Sequence, residues 1–239
     1  MRIVTFNIKN GLGSAGRVDV PGLARVCAGF EADILALQEV DRRARRSGWS
    51  DQVAQVARAT GMAAAFGEAA RRGRFHRYGN ALLARGRIAD VEVLSLPRPT
   101  FGEPRVAILA TVTVGGTAVS VAATHLSFRE KEGPVQLEAL VGLLDRKPPP
   151  RLILGDLNLG PDVVEPVLGA AGYEIAATPP TYPADTPRLR IDYVAVAGMT
   201  LISAEAPVTG ISDHRPVVVE ACCADGRPGP RPGGFEGDG

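Results

Sequence analysis

A chain of 239 residues, 45% of them hydrophobic, can bury one substantial core or two small ones. Its formal charge of +1 excludes a molecule that binds polyanions as a whole, so any nucleic-acid contact must come from local patches. The cysteines, Cys27, Cys222 and Cys223, are odd in number and lack a C-x-x-C spacing, which speaks against a disulfide framework or a thiolate zinc site, and no apolar run approaches the roughly 18 residues of a membrane-spanning helix.

Residues 2–8 (RIVTFNI) read as a strand rich in β-branched and aromatic side chains. Asp19 followed by Pro21 marks a helix start, with Leu23, Val26, Cys27 and Phe30 on one face. Residues 33–38 form a short apolar strand ending at Gln38 and Glu39. Ser50 and Asp51 open a second helix, stopped by Gly61. Strands are expected at 62–66, 79–85, 88–95, 105–114 and 117–124, the last two joined by a Gly115-Gly116 hairpin turn. An amphipathic helix over 130–145 ends before Pro148-Pro149-Pro150. A strand at 151–155, a helix from Pro161 to Ala171, and strands at 191–196, 200–206 and 216–221 complete the pattern.

Many strands and few helices, without an internal linker or repeat, predict one domain over 1–223, built as two sheets packed face to face with helices outside. Residues 224–239 are dominated by Gly and Pro and read as a disordered tail. The N-terminus begins as a strand, not as a basic-then-apolar leader, so a cytoplasmic location is the default expectation. Nothing points to a membrane or a protein partner, and a monomer is expected.

Polar residues recur at the C-terminal ends of apolar strands: Asn7, Glu39, His125, Asp156 and Asn158. Asp192 interrupts LRIDYVAV, and Asp213 and His214 precede the last strand. Singly, each has an ordinary explanation, such as a surface strand end, a buried ion-pair partner or a loop cap. Together they suit one chemistry. Oxygen donors without sulfur favour a hard cation, Mg²⁺ or Mn²⁺. Phosphoryl transfer needs charge neutralisation, an oriented water and a proton acceptor, which Asp, Asn and His supply.

The segments TFNI, LQEV, YGNALL, THL, GDLN, RIDYV and SDHRPV, in this order from residue 2 to about residue 220, resemble the endonuclease/exonuclease/phosphatase superfamily. The resemblance implies an α/β fold: a four-layer sandwich of two mainly antiparallel sheets flanked by helices. It also implies metal-dependent hydrolysis of a phosphoester, with Glu39 as the principal Mg²⁺ (or Mn²⁺) ligand assisted by Asn7, and Asp213 helping with a metal. Asp156 would orient and deprotonate the attacking water, and Asn158 would position the phosphate or that water. His214, held by Asp192, would contact a phosphate oxygen in the transition state, and His125 and Tyr78 would be further phosphate donors. One position departs from the pattern: where abasic-endonuclease-like members carry an aspartate two residues after the first-strand Asn, this chain has Lys9. Lys9 can contact substrate phosphate or point to solvent.

Two basic runs adjoin these segments: Arg42, Arg43, Arg45 and Arg46, and Arg71, Arg72, Arg74, His76 and Arg77. As loops at the site mouth they would form a positive funnel; the alternative is a solvated surface. Trp49 reads as a packing residue. The leading expectation for the substrate is a phosphodiester, nucleic acid included. A phosphatase of a small phosphorylated metabolite or inositol phosphate comes second, and a lipid headgroup third, since no apolar anchor is visible. A non-catalytic binding module of the same fold is the remote alternative.

Overall fold

The computed structural model describes residues 1–13, 16–98 and 102–223; the expected tail at 224–239 lies outside these. Twelve strands and four α-helices alternate along the chain: β1 (Arg2–Asn7), α1 (Val20–Gly29), β2 (Ile34–Arg42), α2 (Gln52–Thr60), β3 (Ala63–Arg72), β4 (His76–Ala84), β5 (Arg87–Ser95), β6 (Val106–Val114), β7 (Thr117–His125), α3 (Gly133–Leu144), β8 (Arg151–Asp156), α4 (Pro161–Ala170), β9 (Glu174–Ile175), β10 (Asp192–Ala197), β11 (Met199–Glu205) and β12 (Val217–Cys223).

The strands form two six-stranded sheets, in the orders β11-β12-β1-β2-β4-β3 and β5-β6-β7-β8-β10-β9. Alternate residues of the central strands face opposite ways, and both faces are buried. Ile3, Ile34 and Ala36 meet Ile108, Val121, Leu152 and Val194 between the sheets. Their neighbours Val4, Phe6, Leu35 and Leu37 pack under α1 and α2 against Leu23, Cys27 and Val56. Leu109, Ile153 and Tyr193 face α3 and α4 through Leu137, Leu140 and Leu168. The result is the expected four-layer α/β sandwich, and burial on both faces explains why these strands read as unbroken apolar runs. Each fully buried Leu or Ile contributes roughly 1.5–3 kcal/mol by leaving water.

Pairing is antiparallel except at one place in each sheet, β1 with β2 and β7 with β8. A parallel pair aligns two C-terminal ends at one edge. That edge carries Asn7 beside the end of β2 in one sheet, and His125 opposite Asp156 in the other. Asp192 faces Asp156 from the antiparallel neighbour β10. The strand-end residues therefore converge because of topology.

One expectation needs correction. Residues 71–77 are not a loop: Arg71 and Arg72 belong to β3, His76 and Arg77 to β4, and only 73–75 turn. Cross-strand pairs 71↔77 and 72↔76 extend the hairpin, and Glu68 binds both Arg71 and Arg77 at 3.1 Å, so the charges stabilise the strand instead of ending it. The two-residue strand β9 carries no recognisable sequence signal. Among the described residues no helix is long and apolar enough to cross a membrane.

Candidate active site

A cleft of about 620 Å³ opens over these strand ends, lined by Glu39, Tyr78, His125, Asp156, Asn158, Asp213 and His214 among others. Local backbone geometry aims the polar groups. The β2–β4 register shifts between Leu37 and Val40, and Glu39 takes a left-handed φ of 58° there; such a bulge re-aims a side chain at a sheet rim. Gly155 lets β7 and β8 close beside the next residue, Asp156, because a Cβ there would lie 2.0 Å from the Thr124 carbonyl oxygen. Gly79 plays the same part beside Tyr78, where a Cβ would meet the Gly67 carbonyl at 1.9 Å.

Asp156 is the centre of the hydrogen-bond network and is 1% exposed. Its Oδ2 accepts from Asn7 Nδ2 at 2.9 Å and its Oδ1 from the Asn158 backbone N–H at 2.9 Å. His125 Nε2 stands 3.5 Å and His214 Nε2 3.8 Å from Oδ2. Burial and the Asp192 charge push the Asp156 carboxyl up to about 7, against the opposing pull of His214, Asn7 and Asn158. Asn158, itself at a left-handed φ of 53°, donates Nδ2 to the Leu126 carbonyl at 3.0 Å.

His214 is fixed from behind. Its Nδ1 lies 2.9 Å from Asp192 Oδ2, its ring tilts against Tyr182 at 4.8 Å, and its backbone N–H donates to Ser212 Oγ. Thr181 Oγ1 donates to the same Asp192 oxygen at 2.5 Å, while Asp192 Oδ1 is buried with no partner among the described residues. Burial opposes charge on the imidazole, but Asp192, Asp156 and Asp213 prevail and raise it to about 9. His214 is thus an imidazolium at neutral pH. His125 is the reverse: burial, Arg105 and His214 hold it well below the usual histidine range, so it is neutral. Tyr78 keeps its proton, since burial and the charges of Glu39 and Glu103 push the phenol upward. Both can donate hydrogen bonds without changing charge.

The metal expectations are refined. Asn7 turns its amide nitrogen toward the carboxylates, 3.1 Å from Glu39 Oε1, and its Oδ1 accepts from the Lys9 backbone N–H. In this arrangement it links Glu39 to Asp156 as a donor and does not present a ligand oxygen. Asp213 is engaged too: Lys9 Nζ lies 2.6 Å from its Oδ2. Lys9 therefore neither reaches into solvent alone nor contacts the cleft centre; it neutralises the carboxylate expected to help a metal. Glu39, whose one side-chain hydrogen bond among the described residues is to Asn7 and which lines the cleft, fits a hard cation that takes one or two carboxylates. Asp156, Asp192 and His214 bring ligand atoms within 4.8 Å of one another. His214 already bonds Asp192 through Nδ1 and turns Nε2 toward Asp156, so these groups read as a proton-handling network.

Of the basic runs, Arg46 and Arg72 line the cleft. Arg42 pairs with Asp51, Arg71 and Arg77 pair with Glu68, and Arg74 lies over Phe75. The broad funnel is thus reduced to two side chains. Trp49 is 60% exposed, so it does not pack as expected, and it does not line the cleft. Sequence reasoning missed Arg105, Glu103, Phe128, Tyr182 and Leu189 as cleft residues. Arg105 alone left a signal, a charged residue directly before the apolar run VAILATV.

With this geometry established, likeness to known proteins is informative. Residues 4–214 match the profile of the endonuclease/exonuclease/phosphatase family. The chain belongs to that family. No curated protein sequence matches it. Among solved structures, the family member from Beutenbergia cavernae superimposes with a TM-score of 0.79 at 22% identity, covering 93% of this chain and 71% of that one. The human nocturnin catalytic domain, solved with a bound sulfate anion, gives 0.71 at 20% identity, covering 94% of each. The mannosyl-6-phosphatase of Bacteroides thetaiotaomicron gives 0.70 at 16%, covering 92% of this chain and 99% of that one. At these identities the likeness speaks for the fold. Family membership makes this chain a phosphoesterase of the endonuclease/exonuclease/phosphatase superfamily.

Proposed function

We propose that residues 1–223 form a monomeric hydrolase that uses Mg²⁺ or Mn²⁺ to cleave a phosphoester of a small, highly charged compound. The carrying observation is the hydrogen-bonded chain Glu39–Asn7–Asp156 beside Asp192–His214. Asp156, with its carboxyl raised toward neutrality, holds and deprotonates the attacking water. The His214 imidazolium faces the phosphate, where negative charge accumulates in the transition state, and Asp192 keeps it oriented and charged. His125, Tyr78 and Asn158 add neutral donors around the phosphoryl oxygens. Glu39 would hold the cation, which when bound neutralises phosphate charge and polarises the phosphorus. Asn7 keeps the Glu39 and Asp156 carboxylates in register for that arrangement.

A small substrate is favoured because the cleft has the size of a metabolite pocket and most arginines nearby are paired away from it. A second reading, a phosphodiesterase acting on nucleic acid, is favoured by Phe128, which lines the cleft at 71% exposure and offers a ring for a base to stack on. Hydrolysis of p-nitrophenyl phosphate beside bis-p-nitrophenyl phosphate, with Mg²⁺, Mn²⁺ or EDTA, tests both. Metal-dependent release from the monoester is the expected result. Cleavage of the diester alone would move the assignment to the second reading, and no metal-dependent release from either would overturn the proposal.

A further inference from the structure

The cleft has two unlike ends. Strand order places His214, Tyr182 and Leu189 toward β9, β10 and β12, and Arg46, Arg72 and Arg105 toward β3, β4 and β6. The arginine end contains more than a surface charge run. Arg105 is only 7% exposed, yet its single ion pair among the described residues, to Glu103 Oε2, is 3.8 Å long, too far for a hydrogen bond. A buried guanidinium so weakly paired needs an anion to balance desolvation. Arg46 is held rigidly: its Nε and Nη2 donate to the two oxygens of Asp41 at 2.7 and 2.8 Å, and Asp41 is fully buried. Arg46 and Arg72 both lie over the Tyr78 ring, 5.8 and 5.3 Å from its centre, so the ring positions two guanidiniums beside a proposed phosphate donor. Glu103 bridges the third side, with Oε1 3.1 Å from Arg72.

We infer that Arg46, Arg72 and Arg105 form a second anion subsite, so that the substrate carries a further phosphate or carboxylate beside the phosphoester that is cut. This rests on the phosphoesterase reading above and names its substrate class: a small bis-anionic compound. Planar guanidiniums that line one end of the cleft suit the oxygens of a phosphate or carboxylate. Glu103 contacts two of these guanidiniums, Arg72 and Arg105, and competes with the substrate anion for them. Asp41 is a positioning residue that acts through Arg46.

The test uses two non-hydrolysable probes, propylphosphonate and 1,3-propanediphosphonate, as competitive inhibitors of p-nitrophenyl phosphate hydrolysis, with binding of each measured in parallel by calorimetry in Mg²⁺. The wild-type protein should bind the diphosphonate at least about tenfold more tightly than the monophosphonate. Arg105→Met and, as a half-exposed alternative less tied to the core, Arg72→Ala should bring that ratio close to one. Arg45→Ala and Arg74→Ala should leave it unchanged. Glu103→Gln should raise it, whereas a merely structural role for Glu103 would lower it or leave it alone. A wild-type ratio near one, or a ratio that survives both arginine variants, overturns the inference. Calorimetry separates the two layers: diphosphonate preference without any ester hydrolysis keeps the subsite and rejects the reaction, and hydrolysis without preference does the opposite. If affinity for oligothymidylates rises steadily with strand length beyond two phosphates, the anion belongs to a nucleic-acid strand and the small-molecule assignment falls.

Discussion

Two hydrogen-bonded aspartate–histidine pairs lie in this part of the molecule, one in the cleft and one outside its lining, and they do different work. Asp192 Oδ2 stands 2.9 Å from His214 Nδ1, and Asp41 Oδ1 stands 2.8 Å from His76 Nε2. Both carboxylates are fully buried. Asp41, however, is also clasped by Arg46 through two bonds, so its charge is balanced before His76 is counted. Among the described residues Asp192 receives only a hydroxyl besides His214, and the far nitrogen of His214 looks toward Asp156. Surplus negative charge therefore falls on His214 and makes it cationic. An Asp–His pair by itself marks nothing; the charge left over after all partners are counted, and what the second ring nitrogen faces, decide whether it does chemistry.

The largest expected effect is at Asp156, which lies on the reactive side of that comparison. Asp156→Ala should cut turnover by roughly 10³-fold or more, in the range of a lost general base, while circular dichroism and thermal unfolding stay close to wild type. Turnover at the wild-type rate would remove Asp156 from the mechanism. His214→Gln should follow, with a kcat loss of roughly 10²-fold as transition-state charge loses its partner. The comparison would break if this variant kept full kcat and changed only KM. Glu39→Gln should raise the Mg²⁺ concentration needed for half-maximal rate by at least about tenfold. An unchanged metal titration would take Glu39 out of the metal site.

How far this site could be read from the sequence follows the same physics. Strands such as β1, β2 and β8 were legible because burial on both faces leaves unbroken apolar runs, and a polar residue at the end of such a run is conspicuous. Asn7, Glu39 and Asp156 were found that way. Asp41, His76 and Arg105 were not, because a charged residue beside a strand looks like solvated surface until its partner is known. The Asp41–His76 contact joins residues 35 apart in sequence, and only the β2–β4 pairing brings them together. Likewise, the arginines of 71–77 looked like a loop because nothing local announces that Glu68 will pair with two of them across the hairpin.

On the structural side of the comparison the effects are smaller and of another kind. Asp41→Asn weakens the clamp on Arg46 and the bond to His76, and should lower unfolding free energy by about 2 kcal/mol, read as a shifted denaturant midpoint at constant slope. His76→Gln should do least. Glutamine can still donate to Asp41, which keeps both Arg46 bonds, and His76 does not line the cleft. Stability should fall by less than about 1 kcal/mol, and kcat should stay within experimental scatter of the wild type. The decisive measurement sets this variant beside His214→Gln in one assay. Equal losses of kcat would mean that the two pairs are equivalent and that the charge left on the imidazole does not distinguish them. A wide gap, with His76 silent, would assign the chemistry to the pair whose carboxylate has no arginine to share.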